Sequence, residues 1–122
     1  MFVMDVQNEI HLDPFSAGVG NRNLPPTRRR GLELELSAKP WTPLRLTAAY
    51  TYLDARFRSS FLTCAGAPCP AADTVVPAGN RIPGIPRTAA YAELAWRHQP
   101  WGLETAVELR HVGKIAVNDA NT

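Results

Sequence analysis

The chain contains 122 residues, of which 45% are hydrophobic and 20% are charged, and its formal net charge is +2. This apolar content and small charge exclude wholesale disorder, and no stretch approaches the ~18 consecutive apolar residues that a transmembrane helix needs. A transmembrane β-strand, which needs about 9 to 11 residues with one apolar face, is not excluded. The basic cluster at residues 28–30 is short and lacks interleaved aromatic residues, which argues against nucleic-acid binding.

Five segments alternate apolar and polar residues with the period of two that is typical of β-strands. In chain order they cover residues 2–11, 31–37, 44–53, 89–97 and 103–110. The second is the clearest, because a helix would place Leu32 and Leu34 some 200° apart and destroy the apolar stripe. A helix stays an alternative for residues 89–97, since their alanines are permissive. The pattern predicts an all-β chain with an antiparallel sheet of about five strands.

The charges of these segments are confined to one face of each strand. In the first segment, Phe2, Met4, Val6 and Ile10 are predicted to share the uncharged face. The charged faces carry Asp5, Glu9, Glu33, Glu35, Arg45, Glu93, Arg97, Glu104, Glu108 and Arg110. In a barrel, the uncharged face would meet lipid and the charged face the lumen, where Arg45 and Glu35 can meet across a hairpin. The alternative is plain solvation of a wet surface.

The connections between the segments alternate in length. Short connections contain Pro40-Trp41 and Pro100-Trp101, whereas residues 12–29 and 54–87 form two long ones. A soluble domain rarely carries a structureless loop longer than ~15 residues, but membrane barrels have short periplasmic turns and long extracellular loops. Trp41 and Trp101 then fall in an aromatic girdle at one rim, with Tyr50 and Tyr52 near the other. Turn packing in a β-sandwich is the alternative for these aromatic residues.

The long loops are predominantly basic. With Arg30, which directly follows the first long connection, eight arginines oppose three aspartates there, so the outer mouth would attract an anionic chelate by electrostatic steering. Lipopolysaccharide phosphates would attract the same arginines. The candidates for ligand steering are Arg22, Arg28, Arg81 and Arg87.

Cys64 and Cys69 lie close enough in sequence for one small disulfide loop, which would imply an oxidising compartment. Two reduced thiols are the alternative, and a zinc site is less favoured because no second Cys/His pair has ligand spacing. We expect no metal site and no cofactor. Catalytic motifs such as Gly-x-Ser-x-Gly and His-Glu-x-x-His do not occur, and the three histidines are far apart, so no enzymatic activity is predicted.

Four sequence motifs resemble those of TonB-dependent outer-membrane receptors, in the same order. Thr27, Arg28, Gly31 and Glu33 are similar to the Thr-Arg-x-x-Gly-x-Glu signature that leads into an alternating strand. Residues 46–57 look like the next strand, with its Tyr-Thr-Tyr and Asp-Ala pairs, and residues 79–87 like the Gly-Asn-x-x-Pro-Gly-x-Pro return from a long loop. Residues 109–113 and 118–122 resemble a later strand and the start of another outer loop.

The resemblance implies part of a plugged barrel of roughly 22 strands in the outer membrane of a Gram-negative bacterium. Such receptors import ferric siderophores, or cobalamin, haem and other nutrients, with energy from the TonB complex. Five strands cannot close a barrel, and the plug domain, TonB-contacting box, signal peptide and terminal aromatic strand are absent from these residues. We therefore expect residues 1–122 to be a partial barrel domain, from the C-terminal part of a siderophore receptor. The alternatives are a porin-like barrel segment and a soluble all-β binding module.

Overall fold

The computed structural model describes residues 1–12, 21–64 and 72–121. Within these ranges the chain is all-β, with one turn of 3₁₀ helix at Gln99–Trp101. The nine strands are β1 (Phe2–Val6), β2 (Ile10–Leu12), β3 (Asn21–Asn23), β4 (Thr27–Trp41), β5 (Leu44–Phe57), β6 (Phe61–Thr63), β7 (Thr74–Val76), β8 (Thr88–His98) and β9 (Leu103–Val112). No described helix has the length and apolarity to cross a membrane.

The main sheet has five strands in the order β1-β4-β5-β8-β9. Its β5·β8 and β8·β9 pairs are antiparallel, so the predicted all-β class and five-stranded antiparallel sheet are confirmed. The helical alternative for residues 89–97 is wrong, because β8 spans them. The two long connections also contain small antiparallel hairpins, β2·β3 and β6·β7.

The chain divides into two compact units. The first, here called the wall unit, contains residues 31–53 and 86–114 together with Met1. The second, the loop unit, contains residues 2–30, 54–85 and 115–122. Strands β4 and β5 each contribute residues to both units.

Pairing in the wall unit keeps like residues together. Leu94 lies opposite Leu46 on β5 and Val107 on β9, while Glu93 lies opposite Thr47 and Glu108. Because side chains alternate along each strand, this register aligns the uncharged positions on one face and the charged positions on the other. We call them the apolar face and the polar face. Large residues of the apolar face are exposed: Val107 is 69% and Leu94 46% accessible.

Burial of large apolar side chains is concentrated in the loop unit. Phe57 is 2% and Val76 0% exposed, and with Leu24 they form a core against which Phe61 and Ile82 pack. The rings of Phe57 and Phe61 meet edge to face with centroids 4.8 Å apart. At the end of β5, the side chains of Ala55 and Phe57 point to the same face of the strand, and both are buried.

The first predicted strand is interrupted. β1 ends at Val6, and Asn8 has φ of 57°, a left-handed conformation that breaks the alternation before β2 begins at Ile10. Conversely, β4 and β5 are longer than predicted, because their ends carry polar residues on alternating positions and so lack the apolar period.

The two Pro-Trp connections differ in conformation, although their sequences suggested one repeated unit. β4 runs through Pro40 and Trp41 and turns at residues 42–43, whereas Pro100 and Trp101 belong to the 3₁₀ turn. That turn ends at Gly102 with φ of 62°, which glycine adopts without strain. Trp101 is 80% exposed and meets the His98 ring edge to face, and that ring also contacts Trp96.

Candidate functional site

A pocket of about 180 Å³ lies in the loop unit between the ends of β4 and β5. Its lining is dominated by guanidinium groups, which reach it from alternate positions of the two strand ends. The lining residues are Arg28, Arg30, Asp54, Arg56, Phe57, Arg58 and Gly79.

Two carboxylates hold these arginines. Asp5 accepts hydrogen bonds from Arg28 Nε at 2.7 Å and Arg28 Nη2 at 3.0 Å, and Arg58 Nη1 lies 3.6 Å from it. Hydrogen bonds from Arg28, followed by the charges of Arg28 and Arg58, hold the pKa of the Asp5 carboxyl below its ordinary value. The same partnership raises the pKa of the Arg28 guanidinium.

Asp54 is the second carboxylate, and it is more shielded, with 11% of its side chain exposed. Its oxygens accept from Arg56 Nε at 2.8 and 3.0 Å, and Arg30 Nη2 lies 3.6 Å away. Arg56 Nη1 also donates to the Gly79 carbonyl at 3.1 Å. The strand ends are therefore tied to the loop through one guanidinium.

The ion pairs of Asp5 and Glu9 show which face of β4 each of these two carboxylates lies on. Asp5 contacts Arg28, whereas Glu9 contacts Arg29 and accepts from the Thr27 hydroxyl at 3.4 Å. Neighbouring positions of a strand point to opposite faces, so Asp5 and Glu9 lie on opposite faces. Their predicted placement on one face is wrong, because the left-handed residue between them reverses the alternation.

The face assignment of β1 is corrected for the same reason. Asp5 shares the face of Arg28, which by alternation along β4 is also the face of Leu32. Phe2, Met4 and Val6, which alternate with Asp5 along β1, therefore lie on the side of β1 away from Arg28.

A second cluster in the loop unit joins two of the motifs singled out in the sequence. The Asn121 side chain pairs with the Arg81 backbone: Oδ1 accepts from the Arg81 N–H at 2.8 Å, and Nδ2 donates to the Arg81 carbonyl at 2.9 Å. Asn80 Nδ2 donates to the Asp119 carbonyl at 2.9 Å. The amide side chains thus replace missing strand partners and hold residues 79–82 against 118–121.

The polar face of the wall unit carries a chain of ion pairs. Arg45 Nη2 lies 3.3 Å from Glu93 and 3.9 Å from Glu104, and Arg97 lies 3.4 Å from Glu104. Arg110 pairs with Glu108 at 3.0 Å. Arg45 thus contacts these acids rather than Glu35. It lies opposite Ala95 on β8, which makes Glu93 its diagonal neighbour on the same face.

Two acids of the same face, Glu33 and Glu35, make no ion pair within the described residues. The Tyr91 hydroxyl donates to Glu93 at 3.0 Å and completes the network.

The four candidates for ligand steering occupy different environments. Arg28 lines the loop-unit pocket, and the Arg81 backbone is clamped by Asn121. Arg87 belongs to the wall unit, where Nη2 donates to the Tyr52 hydroxyl at 2.9 Å and the guanidinium lies 5.3 Å from the Tyr52 ring centre. The side chain of Arg22 lies outside the described residues.

Cys64 is disulfide-bonded, and Cys69 lies outside the described residues, so their mutual pairing stays a prediction. Among residues 1–12, 21–64 and 72–121, no group of three or more His, Cys, Asp or Glu side chains is placed to hold a metal ion.

Sequence reasoning missed Arg30, Arg56, Arg58 and Asp54 as one group, and it missed Asn121. The signal for the arginine pocket was present, because extending the alternation of β4 and β5 past their apolar parts places these residues on one face. The amide clamp had no such signal, since it joins side chain to backbone across 40 residues.

An antiparallel sheet that separates an exposed apolar face from an ion-paired polar face defines the wall of a membrane β-barrel. The model of the family described as TonB dependent receptor-like, beta-barrel matches residues 1–122. The chain therefore belongs to the TonB-dependent receptor β-barrel family. This is a family of receptors and transporters, typically of the Gram-negative outer membrane, that act with TonB.

Proposed function

We propose that residues 1–122 form part of the wall and outer mouth of an outer-membrane receptor that binds and imports a ferric siderophore or similar metal chelate. The observation that carries the proposal is the β5-β8-β9 register, in which the acidic residues and arginines of the registered positions all fall on one face. That arrangement suits lipid on the apolar side and a filled, polar lumen on the other.

In this orientation the short β4–β5 and β8–β9 turns face the periplasm, and the long connections face the exterior. The polar-face residues Glu33, Glu35, Arg45, Glu93, Arg97, Glu104, Glu108 and Arg110 then line the lumen. The unpaired carboxylates of Glu33 and Glu35 are suited to accept hydrogen bonds from a plug domain, through which TonB delivers energy. The proposed function is transport, and it assigns no enzymatic activity to these residues.

Uptake of labelled ferric siderophores by the native host tests this proposal. We expect deletion of the gene encoding this chain to abolish uptake of one chelate class, with separate hydroxamate and catecholate complexes as probes. Deletion of TonB should abolish the same uptake. Uptake that persists without TonB would contradict the proposal and support a passive, porin-like barrel.

A further inference from the structure

A second pocket lies on the polar face of the wall unit, beside the short β4–β5 turn. It has a volume of about 160 Å³, and its charged lining residues are Lys39, Arg45, Arg97 and Glu104. Ala95 and the turn residues 42–44 complete the lining. All of these residues belong to the wall unit, so the pocket is a feature of the sheet and its turn alone.

Strand pairing brings the cationic side chains of this pocket together. Arg45 lies opposite Ala95 on β8, and Arg97 lies opposite Glu104 on β9. Lys39 occupies an odd-numbered position of β4, in the alternation that carries the polar-face acids of that strand. Ala95 is 4% exposed and forms the floor, because its methyl group is much shorter than the charged side chains around it.

The pocket holds more positive charge than the carboxylates in contact with it neutralise. Arg45 Nη2 lies 3.3 Å from Glu93 and 3.9 Å from Glu104, and Arg97 Nη2 lies 3.4 Å from Glu104. Lys39 is exposed and forms no ion pair among the described residues. Three cations therefore meet two acids, which leaves a surplus of one positive charge.

A carboxylate has the complementary properties. It carries one negative charge and accepts hydrogen bonds through two oxygens, while the Lys39 ammonium offers three N–H donors and the Arg97 guanidinium five. Arginine pairs with carboxylates in a bidentate manner. A phosphomonoester, with about −1.5 to −2 charges at neutral pH, would exceed the surplus.

The size of the pocket limits what it can hold. Pockets that enclose a whole small-molecule ligand usually have about 300 to 1,000 Å³. At about 160 Å³, this pocket is suited to one anionic group of a larger ligand and not to the complete ligand.

We propose that Lys39, Arg45 and Arg97 form a subsite on the lumen wall that binds a free carboxylate of the transported chelate on its way to the periplasm. The inference rests on the proposed function, which supplies the chelate and places the short turns at the periplasmic end. It names the substrate class, an anionic chelate with an uncoordinated carboxylate. It also gives that chelate a contact at the end of the lumen opposite the outer mouth.

Chemical labelling of the natural protein tests the subsite without any variant. Lys39 and Lys114 are the two lysines of this sequence, and Lys114 does not line the pocket. The probe is citrate, a tricarboxylate, added without metal to the detergent-solubilised protein that contains this chain. Mass spectrometry follows acetylation of both amines. We expect citrate to slow acetylation of Lys39 several-fold and to leave that of Lys114 unchanged.

The controls of this experiment define what would overturn the subsite. Equal slowing at both lysines would show general screening by salt and no site. Slowing by triethyl citrate, the uncharged ester of the same skeleton, would overturn the requirement for a carboxylate. If Lys39 did not react even before citrate is added, another part of the natural protein would cover the pocket, and the subsite would be overturned. Unchanged reaction of Lys39 with citrate present would overturn it as well.

The variant Lys39→Gln removes the surplus charge and keeps a polar side chain. We expect its affinity for citrate, measured by isothermal titration calorimetry, to fall about fivefold, because a charge-assisted contact is lost. Lys114→Gln is the matched control and should bind citrate as the wild-type protein does. Equal affinities of Lys39→Gln and wild type would overturn the assignment of Lys39.

Uptake by the native host separates this inference from the proposed function. In Lys39→Gln, we expect the imported chelate to bind the cell surface with wild-type affinity but to enter several-fold more slowly. A wild-type rate of entry would overturn the role of the subsite in transit. If the wild-type protein imported no chelate while citrate still protected Lys39, the import function alone would be refuted, so the two failures are distinguishable.

Discussion

The Asn121 side chain makes two hydrogen bonds of the kind that a neighbouring strand would make. Its amide offers a donor and an acceptor in the geometry of a peptide group, and both are used on the Arg81 backbone. The residue also adopts φ of 62°, which asparagine tolerates better than most residues. Residues 79–82 continue along the end of β5, where the Ile82 N–H donates to the Ala55 carbonyl, so Asn121 covers their other side.

We expect Asn121→Ala to destabilise this segment by about 1 to 2 kcal/mol, because two hydrogen bonds to backbone groups are lost. Hydrogen exchange of the Arg81 amide in the natural protein measures the effect. Asn121→Gly is the matched control: it relieves any backbone strain but also lacks the amide. If Asn121→Gly exchanged as slowly as wild type, backbone conformation and not hydrogen bonding would explain the role of Asn121.

The ion pair between Asp5 and Arg28 in the loop unit depends on pH. The pKa of Asp5 is lowered by Arg28, so the folded state favours the carboxylate. The pair therefore stabilises the fold above the ordinary pKa of aspartate, and this contribution is lost as the pH falls through the lowered folded-state value.

The carboxyl chemical shift of Asp5 in labelled, detergent-solubilised protein checks this expectation. We expect its titration midpoint to lie below that of an unpaired aspartate and to rise towards the ordinary value in Arg28→Gln. Arg97→Gln, far along the chain on β8, serves as the control. An unchanged midpoint in Arg28→Gln would show that the ion pair does not determine the ionisation of Asp5.

At the scale of elements, β8 and β9 contain an unfavourable pair. Glu93 and Glu108 lie directly opposite each other, and like charges in that position destabilise a sheet. Arg45 approaches Glu93 from β5, and Arg110 approaches Glu108 along β9. Arg45 of the neighbouring strand and Arg110 of β9 itself thus supply the positive charges that offset the repulsion between the two acids.

We expect Arg45→Gln to lower the free energy of unfolding by roughly 0.5 kcal/mol, a small value because the pair is partly exposed. Urea unfolding of the natural barrel in detergent measures it. Adding Glu93→Gln should cancel most of the loss, because the opposing charges are then no longer both present. Additive losses in the double variant would rule out coupling between the two residues.

The two faces of β8 and β9 give a direct test of the membrane assignment. Leu94→Arg places a charge on the apolar face and should cost about 2 to 4 kcal/mol near the bilayer midplane. Ala106→Arg places the same charge on the polar face, opposite Ala95, and should cost much less. Equilibrium folding into lipid vesicles measures both, and equal costs would contradict the assignment of the apolar face to lipid.

At the scale of the whole molecule, the five-stranded sheet has β1 and β9 at its edges. Unpaired edge strands and an exposed apolar face both promote association between chains. We expect the 122-residue chain, refolded from urea without detergent, to associate, and detergent to reduce its size. Size-exclusion chromatography with light scattering checks this. A monodisperse monomer without detergent would instead favour a soluble all-β module.

Much of the sheet was predictable because its physical cause is local. Alternation along residues 44–53 and 89–97 identified both strands and both faces, and the register of β5 with β8 confirmed that those faces align. β1 was mispredicted because a single left-handed residue reverses the alternation. The partner of Arg45 was mispredicted because it comes from β8, whose neighbours depend on pairing across a long connection.

The sequence by itself determined the class of structure, since the period of two and the separation of charge are properties of consecutive residues. Only the tertiary structure decided which arginines act together. Arg28, Arg30, Arg56 and Arg58 are distributed over two strand ends, and Asp5 and Asp54 join them through ion pairs between residues far apart in sequence, such as Asp5 and Arg58. Such groups form when strands pair, because pairing fixes which distant side chains share a face.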